Sequence, residues 1–218
     1  MSRQLPMRFP LRERFTFERF AVGANSEALT HLRAPADGFR CTWLWGPPGV
    51  GKSHLLQAMC HACGGAYVPA RELGDVEGYD AFDRVLIDDA DAWLGDRPRE
   101  EGLFRLYNAM LRRGHALALT ATQSPAAAHF ALHDLASRLR GAACFELTPL
   151  SDKDAVPVLK RAARDRGFDL SDEVVGFLMR RVDRSLPELL ALLEKIDRAS
   201  LSASRRVTVQ FVKEALAL

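Results

Sequence analysis

Eight residues, Gly46-Pro47-Pro48-Gly49-Val50-Gly51-Lys52-Ser53, carry the plainest chemistry in this chain. They fill every fixed position of the phosphate-binding pattern G-x-x-x-x-G-K-[ST]. Glycines let backbone N–H groups turn toward phosphate oxygens. A helix that starts where the loop ends presents its positive pole to the same anion. Lys52 is expected at the β- and γ-phosphates, and Ser53 is expected to offer a hydroxyl to Mg2+. The ligand this implies is a purine nucleotide, ADP or ATP, with Mg2+. Such a site needs an acidic metal partner at the end of a neighbouring strand, and Val85-Leu86-Ile87-Asp88-Asp89 offers one. Asp88 is placed to hold Mg2+ directly or through water, and Asp89 to polarise an attacking water. Acidic residues also gather at helix starts for purely electrostatic reasons. Downstream of a complete P-loop and at the end of an apolar run, the functional reading of the pair outweighs that one.

These groups need strands to hold them at one edge of a sheet. Short apolar runs at Cys41 to Trp45, Ala66 to Pro69, Arg84 to Ile87, Ala116 to Thr120 and Ala143 to Leu147 read as five strands. Continuous apolar runs, rather than alternation, mark strands buried on both faces. Strands separated by helical stretches, such as Ser53 to Cys63, predict a parallel sheet covered on both sides. After Pro149 only helical signals remain. Ser151 to Asp154 opens one helix, which Gly167 is expected to end. Ser171-Asp172-Glu173 opens the next, Ser185-Leu186-Pro187-Glu188 is a capping pattern for a third, and Thr208 caps a last one through Leu216. The expected organisation is an extended, basic arm over residues 1–14, an α/β nucleotide-binding domain over 15–150 and an all-helical lid over 151–218.

Hydrophobic residues at 48% and charged residues at 27% fit a soluble globular chain. No apolar run approaches the roughly 20 residues needed to cross a bilayer, and the N-terminal residues lack the apolar stretch of an export signal. The expected location is the cytoplasm. A net charge of +2 is too small to argue for DNA binding by itself. Of the four cysteines, Cys60 and Cys63 form a C-x-x-C, but no second pair completes a zinc site. They read as core or helix-surface thiols.

The P-loop, the Asp-Asp pair and the helical tail together resemble the AAA+ ATPases, and further segments resemble the DnaA-like branch of that family. Phe15-Thr16-Phe17-Glu18-Arg19-Phe20, followed by Ala21 and Val22-Gly23, is similar to the stretch that lines the base pocket in DnaA. Ile87-Asp88-Asp89-Ala90 resembles the family's Walker B segment, and Leu119-Thr120 through Pro125 its sensor 1 loop. Asp134-Leu135-Ala136-Ser137-Arg138-Leu139 resembles box VII, which carries the arginine finger. Within the branch the likeness is greatest to the Hda group of DnaA regulators. Leu147 to Asp152, Asp197 to Ser200 and Phe211 to Glu214 share it, and the helical tail is not followed by a DNA-binding helix-turn-helix segment.

The resemblance implies a set of roles. Phe20, Ala21 and Val22, with Gly46 through Ser53, His54 and Thr122, would bind the nucleotide. Arg138 would be offered to ATP on DnaA, with Arg140 a weaker second candidate. Gln4-Leu5-Pro6-Met7-Arg8-Phe9 resembles a peptide that binds the sliding clamp, the β subunit of DNA polymerase III. Gln4 would hydrogen-bond at a small pocket, while Leu5, Met7 and Phe9 would fill an apolar one, as alternation in an extended peptide permits. Two positions depart from the family. Thr122 stands where sensor 1 usually has Asp, and Pro187 stands where sensor 2 has Arg, with Arg184 one turn earlier. Both departures predict blunted sensing of the γ-phosphate, so that nucleotide orders the protein more than it drives turnover.

Two other readings compete. One is a stand-alone ATPase of the helicase-loader kind, which would need a partner-binding domain in place of a 14-residue arm. The other is direct DNA binding through Arg3, Arg8, Arg12, Arg14 and the arginines Arg161, Arg164 and Arg166, which read more simply as solvated faces. Any DNA contact is expected to be weak or indirect. ADP against ATP as the working ligand stays open, as does self-association into a homo-oligomer.

Overall fold

A computed structural model describes residue 7, residues 9–181, residues 186–203 and residues 207–216. Gln4, Leu5, Arg184 and Ser185 lie outside the described residues. The chain divides into two compact units, Met1–Thr148 and Pro149–Leu218.

The first unit is built on five strands: β1 (Arg40–Trp45), β2 (Ala66–Pro69), β3 (Arg84–Asp88), β4 (Ala116–Ala121) and β5 (Ala143–Glu146). They form one sheet in the order β2-β3-β4-β1-β5. Every pairing is parallel. This is the five-stranded parallel α/β architecture expected from the apolar runs. Each strand lies within a residue or two of its expected bounds.

Successive residues of the inner strands feed opposite cores. Trp43, Ile87, Leu117 and Leu119 point to a core with Leu103 and Met110 of α3 (Arg97–Arg113) and Leu135 and Leu139 of α4 (His133–Arg140). Leu44, Leu86 and Ala118 point to the other, with Leu29 and Leu32 of α1 (Ser26–Arg33) and Leu55, Leu56 and Met59 of α2 (Lys52–Cys63). A strand packed on both faces is apolar nearly throughout, and all six residues of β4 are buried, with Thr120 its one polar residue.

Local chemistry sets the helix ends. Asp96 caps α3 by accepting from Arg99 N–H at 3.2 Å, with Pro98 in the first turn where its missing N–H costs nothing. Gly114, at φ +68°, ends the helix in a left-handed turn.

Among its described residues the second unit holds four helices: α5 (Asp152–Arg164), α6 (Asp172–Arg181), α7 (Leu186–Ala203) and α8 (Val209–Leu216). They share a core that includes Leu159, Val174, Leu178, Leu193, Ile196 and Val212. Ser151 accepts from Asp154 N–H, and Thr208 accepts from Phe211 N–H, as the capping signals predict. One boundary differs. Helix α5 stops at Arg164, and Gly167, expected to end it, sits three residues on at φ +86°. The last turns are closed by backbone bonds from Arg166, Gly167 and Phe168, so the glycine completes the reversal rather than starting it.

Candidate nucleotide site and arginine helix

The register of the sheet lines up the chemistry. Ile87 pairs with Leu119, and Trp43 with the same residue, so Asp88, Thr120 and Leu44 stand in the next row. The P-loop leaves β1 directly after Trp45. Its residues and the acidic pair therefore share the carboxyl edge of the sheet, the edge where open α/β sheets bind ligands.

The loop geometry requires its glycines. Gly46 has φ +148°, and a Cβ there would lie 2.3 Å from Leu147 O. Gly51 has φ +103°, and its Cβ would meet the Phe20 ring at 2.7 Å. Gly51 is also the N-cap of α2 and contributes no side-chain bond, so the first turn of that helix is not capped by a side chain. Lys52 is buried, and its Nζ donates to Gly46 O at 2.7 Å and to Pro47 O at 3.0 Å. Burial pushes the ammonium pKa down, while Asp89, Asp91 and Asp88 pull it up. A positive group folded into its own loop, facing a helix start, is a donor set suited to phosphate.

Phe20, Ala21 and Val22 precede this loop. Phe20 is buried, and its ring meets His54 edge-on at 5.5 Å. Phe15 stacks on the same imidazole at 4.7 Å, and His54 Nε2–H donates to Thr16 O at 2.8 Å. The N-terminal segment is thereby bound to the first turns of α2. Further along that helix, Gln57 Oε1 accepts from Arg12 N–H and His61 donates to Arg12 O.

The acidic pair is more engaged than its spacing alone suggests. Asp88 is buried and accepts from Tyr67 Oη at 2.6 Å and from Thr120 Oγ1 at 2.5 Å, one on each oxygen. Tyr67, in turn, has its hydroxyl pKa raised by burial and by the Asp88 charge. Asp89 is the one non-glycine residue with positive φ among the described residues, at +54°. Its N–H donates to Thr120 Oγ1, and its carboxylate pairs with Arg71 at 2.7 Å. Thr122 is held by Asp91, which accepts its N–H at 2.8 Å and its hydroxyl at 3.1 Å. The residues expected to hold Mg2+, Ser53 and Asp88, carry a hydroxyl and a carboxylate, both hard oxygens of the kind that ion takes. Among the described residues, no group of three or more His, Cys, Asp or Glu gathers as a metal cluster.

Arg138 lies elsewhere, on α4, and is exposed. Its guanidinium sits 5.9 Å from the centroid of Tyr107 of α3. Arg140, two residues on, is also exposed. Met7 is 61% exposed, Phe9 is half-buried, and Met7 O accepts from Tyr79 Oη at 2.6 Å. Pro187 is exposed in the first turn of α7.

Sequence reasoning missed Tyr67, Arg71, Asp91 and Glu100. The first three sit within two residues of a strand end or of the acidic pair, a position that could have flagged them. Glu100 is fully buried on α3, where its carboxylate accepts from the N–H groups of Gly95, Ala131 and Leu132. Its signal was a charge standing one turn upstream on the apolar stripe Leu103, Leu106, Tyr107, Met110.

Residues 152–216 match the Hda lid domain family. Among solved structures, domain III of the replication initiation protein DnaA from Thermotoga maritima superposes with a TM-score of 0.84 at 21% identity, over 96% of this chain and 98% of that one. AMPPCP-bound DnaA from Aquifex aeolicus gives 0.72 at 21%, over 88% of this chain and 68% of that one. DnaA bound to AMPPCP and single-stranded DNA gives 0.72 at 20%, over 89% and 69%. At such identities the likeness carries the fold, while the family match identifies the helical unit. The chain therefore has the fold of DnaA domain III, and its helical unit matches the lid domain of Hda.

Proposed function

We propose that this protein is a nucleotide-bound regulator of chromosome replication initiation. It binds adenine nucleotide, ADP or ATP with Mg2+, at Gly46–Ser53, with Phe20, Ala21, Val22, His54 and Thr122 around it. It attaches to the sliding clamp through Gln4, Leu5, Met7 and Phe9, and it offers Arg138 to ATP held by DnaA, so that hydrolysis there prevents re-initiation. The observation that carries the reading is an Hda lid domain on a DnaA domain III fold. That DnaA structures have been obtained with AMPPCP supports an adenine nucleotide as ligand. The exposed guanidinium on α4 supports action on a second protein. In the cell the protein would sit in the cytoplasm, held at the nucleoid by the clamp.

In this reading Lys52 and the uncapped start of α2 bind phosphate, Ser53 and Asp88 hold Mg2+, and the metal neutralises phosphate charge when bound. Asp89 pairs with Arg71, Asp88 is shared between two hydroxyls, and Thr122 is turned to Asp91. These ties favour a nucleotide clasp over an engine. We expect the isolated chain to turn over ATP well below about 1 s⁻¹, the low end of ordinary enzymes, in a steady-state phosphate-release assay.

The deciding experiment is ATP hydrolysis by DnaA in the presence of clamp-loaded DNA and this protein. Arg138→Ala is expected to lower the stimulated rate by roughly 10³-fold or more, the size of an arginine-finger term. Equal stimulation by wild type and variant would sink the assignment. If instead the isolated chain hydrolyses ATP rapidly with no effect on DnaA, the stand-alone ATPase reading replaces this one.

A further inference from the structure

We infer that Glu100 and Tyr107 of α3 are positioning residues for Arg138, fixing the helix that carries it at two points. The inference rests on the proposed role of Arg138 and adds the device that aims it.

Helix α4 is eight residues long, and its N-cap, Leu132, has no side chain able to cap it. An isolated helix of that length is unstable in water, and its first N–H groups need acceptors. Glu100, from a neighbouring helix, supplies one for the N-cap N–H and another for the residue just before it. Its Oε2 accepts from Leu132 N–H at 2.6 Å and its Oε1 from Ala131 N–H at 3.0 Å. The same Oε1 accepts from Gly95 N–H at 2.6 Å, tying in the turn that follows the acidic pair. The carboxylate is fully buried, a location expensive for a charge unless its oxygens are satisfied. Three backbone donors satisfy it, and its negative charge lies at the positive pole of α4.

The second fixed point is seven residues along α3. Positions 100 and 107 are separated by two helical turns, so they lie on one face. The Tyr107 ring at that place lies under the Arg138 guanidinium, 5.9 Å from centroid to Cζ. Between the two points, Leu103 and Leu106 share a core with Leu135 and Leu139 of α4. Helix α3 thus holds the start of α4 by charge, its middle by apolar packing and the arginine near its end by an aromatic face. A long side chain that must act on another protein's nucleotide loses much rotamer freedom when it does so. Restricting α4 and the guanidinium beforehand lowers that loss.

The test measures the stimulated rate of DnaA-bound ATP hydrolysis for Tyr107→Phe, Tyr107→Leu and Glu100→Gln, each with Arg138 intact and with Arg138→Ala. Tyr107→Phe keeps the aromatic face and should keep the rate. Tyr107→Leu should lose about fivefold, the size of one exposed cation–π contact. Glu100→Gln presents an amide donor to a backbone N–H and should lose more, with the affinity for ADP unchanged. In the Arg138→Ala background neither substitution should lower the residual rate further. Losses of the same size in both backgrounds would mean ordinary destabilisation and overturn the inference, as would wild-type rates for Tyr107→Leu and Glu100→Gln. If Glu100→Gln fails to fold, the Tyr107 pair decides alone. If Arg138→Ala itself changes nothing, the reading of Arg138 falls, and this inference falls with it.

Discussion

Asp91 and Thr122 show how much a single contact changes the meaning of a residue. Read from the resemblance alone, Thr122 looks like an acid that has lost its charge. In the structure, a carboxylate is still present close by: Asp91 holds both the N–H and the hydroxyl of Thr122, and its charge reaches Lys52. Placing an acid there by Thr122→Asp would therefore set two carboxylates against each other. At about 4 Å in a solvated setting that repulsion is worth about 1 kcal/mol. We expect thermal denaturation at neutral pH to show a loss of that order, recovered when Asp91→Asn is added; an undiminished midpoint for Thr122→Asp alone would refute the pairing. The P-loop and Asp88-Asp89 were legible in the sequence because their chemistry is tied to fixed spacing. Tyr67, Arg71 and Asp91 were not, because their partners lie across the sheet or in the next loop.

At the scale of elements, the strands were legible and the helix that carries Arg138 was legible only through family likeness. A parallel strand between two cores is almost continuously apolar, as β4 shows with Thr120 its one polar residue. Helix α4 has no side-chain cap of its own, and the N–H groups of its N-cap Leu132 and of Ala131 before it are accepted by a carboxylate of α3. Such a start cannot be read locally.

Helix α1 offers an element-level test through His31. Its Nε2 lies 2.9 Å from Thr42 Oγ1 of β1 and its ring packs on Phe145 of β5. Burial first, and then the Arg40 charge, hold the imidazole pKa below its usual value of 6.5. The unfolded chain takes up this proton at higher pH than the folded one, so stability should fall as pH drops through about 6.5 and below. His31→Gln should flatten that part of the profile, measured by denaturant unfolding between pH 8 and pH 5. An unchanged slope would rule His31 out as its source.

For the whole molecule, the break between sheet and helical bundle after Thr148 coincides with the change from strand-like to purely helical patterning. Strand order was a different matter. The runs give the number and type of strands, but placing β1 between β4 and β5 depends on crossovers that leave no mark in composition. Among the described residues no helix is long and apolar enough to cross a membrane. The proposed attachment to the clamp is tested by pull-down of the intact chain against Gln4→Ala with Leu5→Ala. The double variant should lose most retention, because an extended peptide in a groove relies on few anchors. Equal retention would remove the clamp from the proposal.

The bond from Tyr79 to the carbonyl of Met7 has a consequence for geometry at larger range. Gln4 stands three residues before Met7, at most about 11 Å along a fully extended chain. A peptide that short is no slack tether. A clamp that gripped residues 4–9, as proposed, would be drawn against the surface around Tyr79, either beside the peptide or by stripping Met7 from it. On that proposal the angle between the two would be set by the core, and with it the direction left open to DnaA.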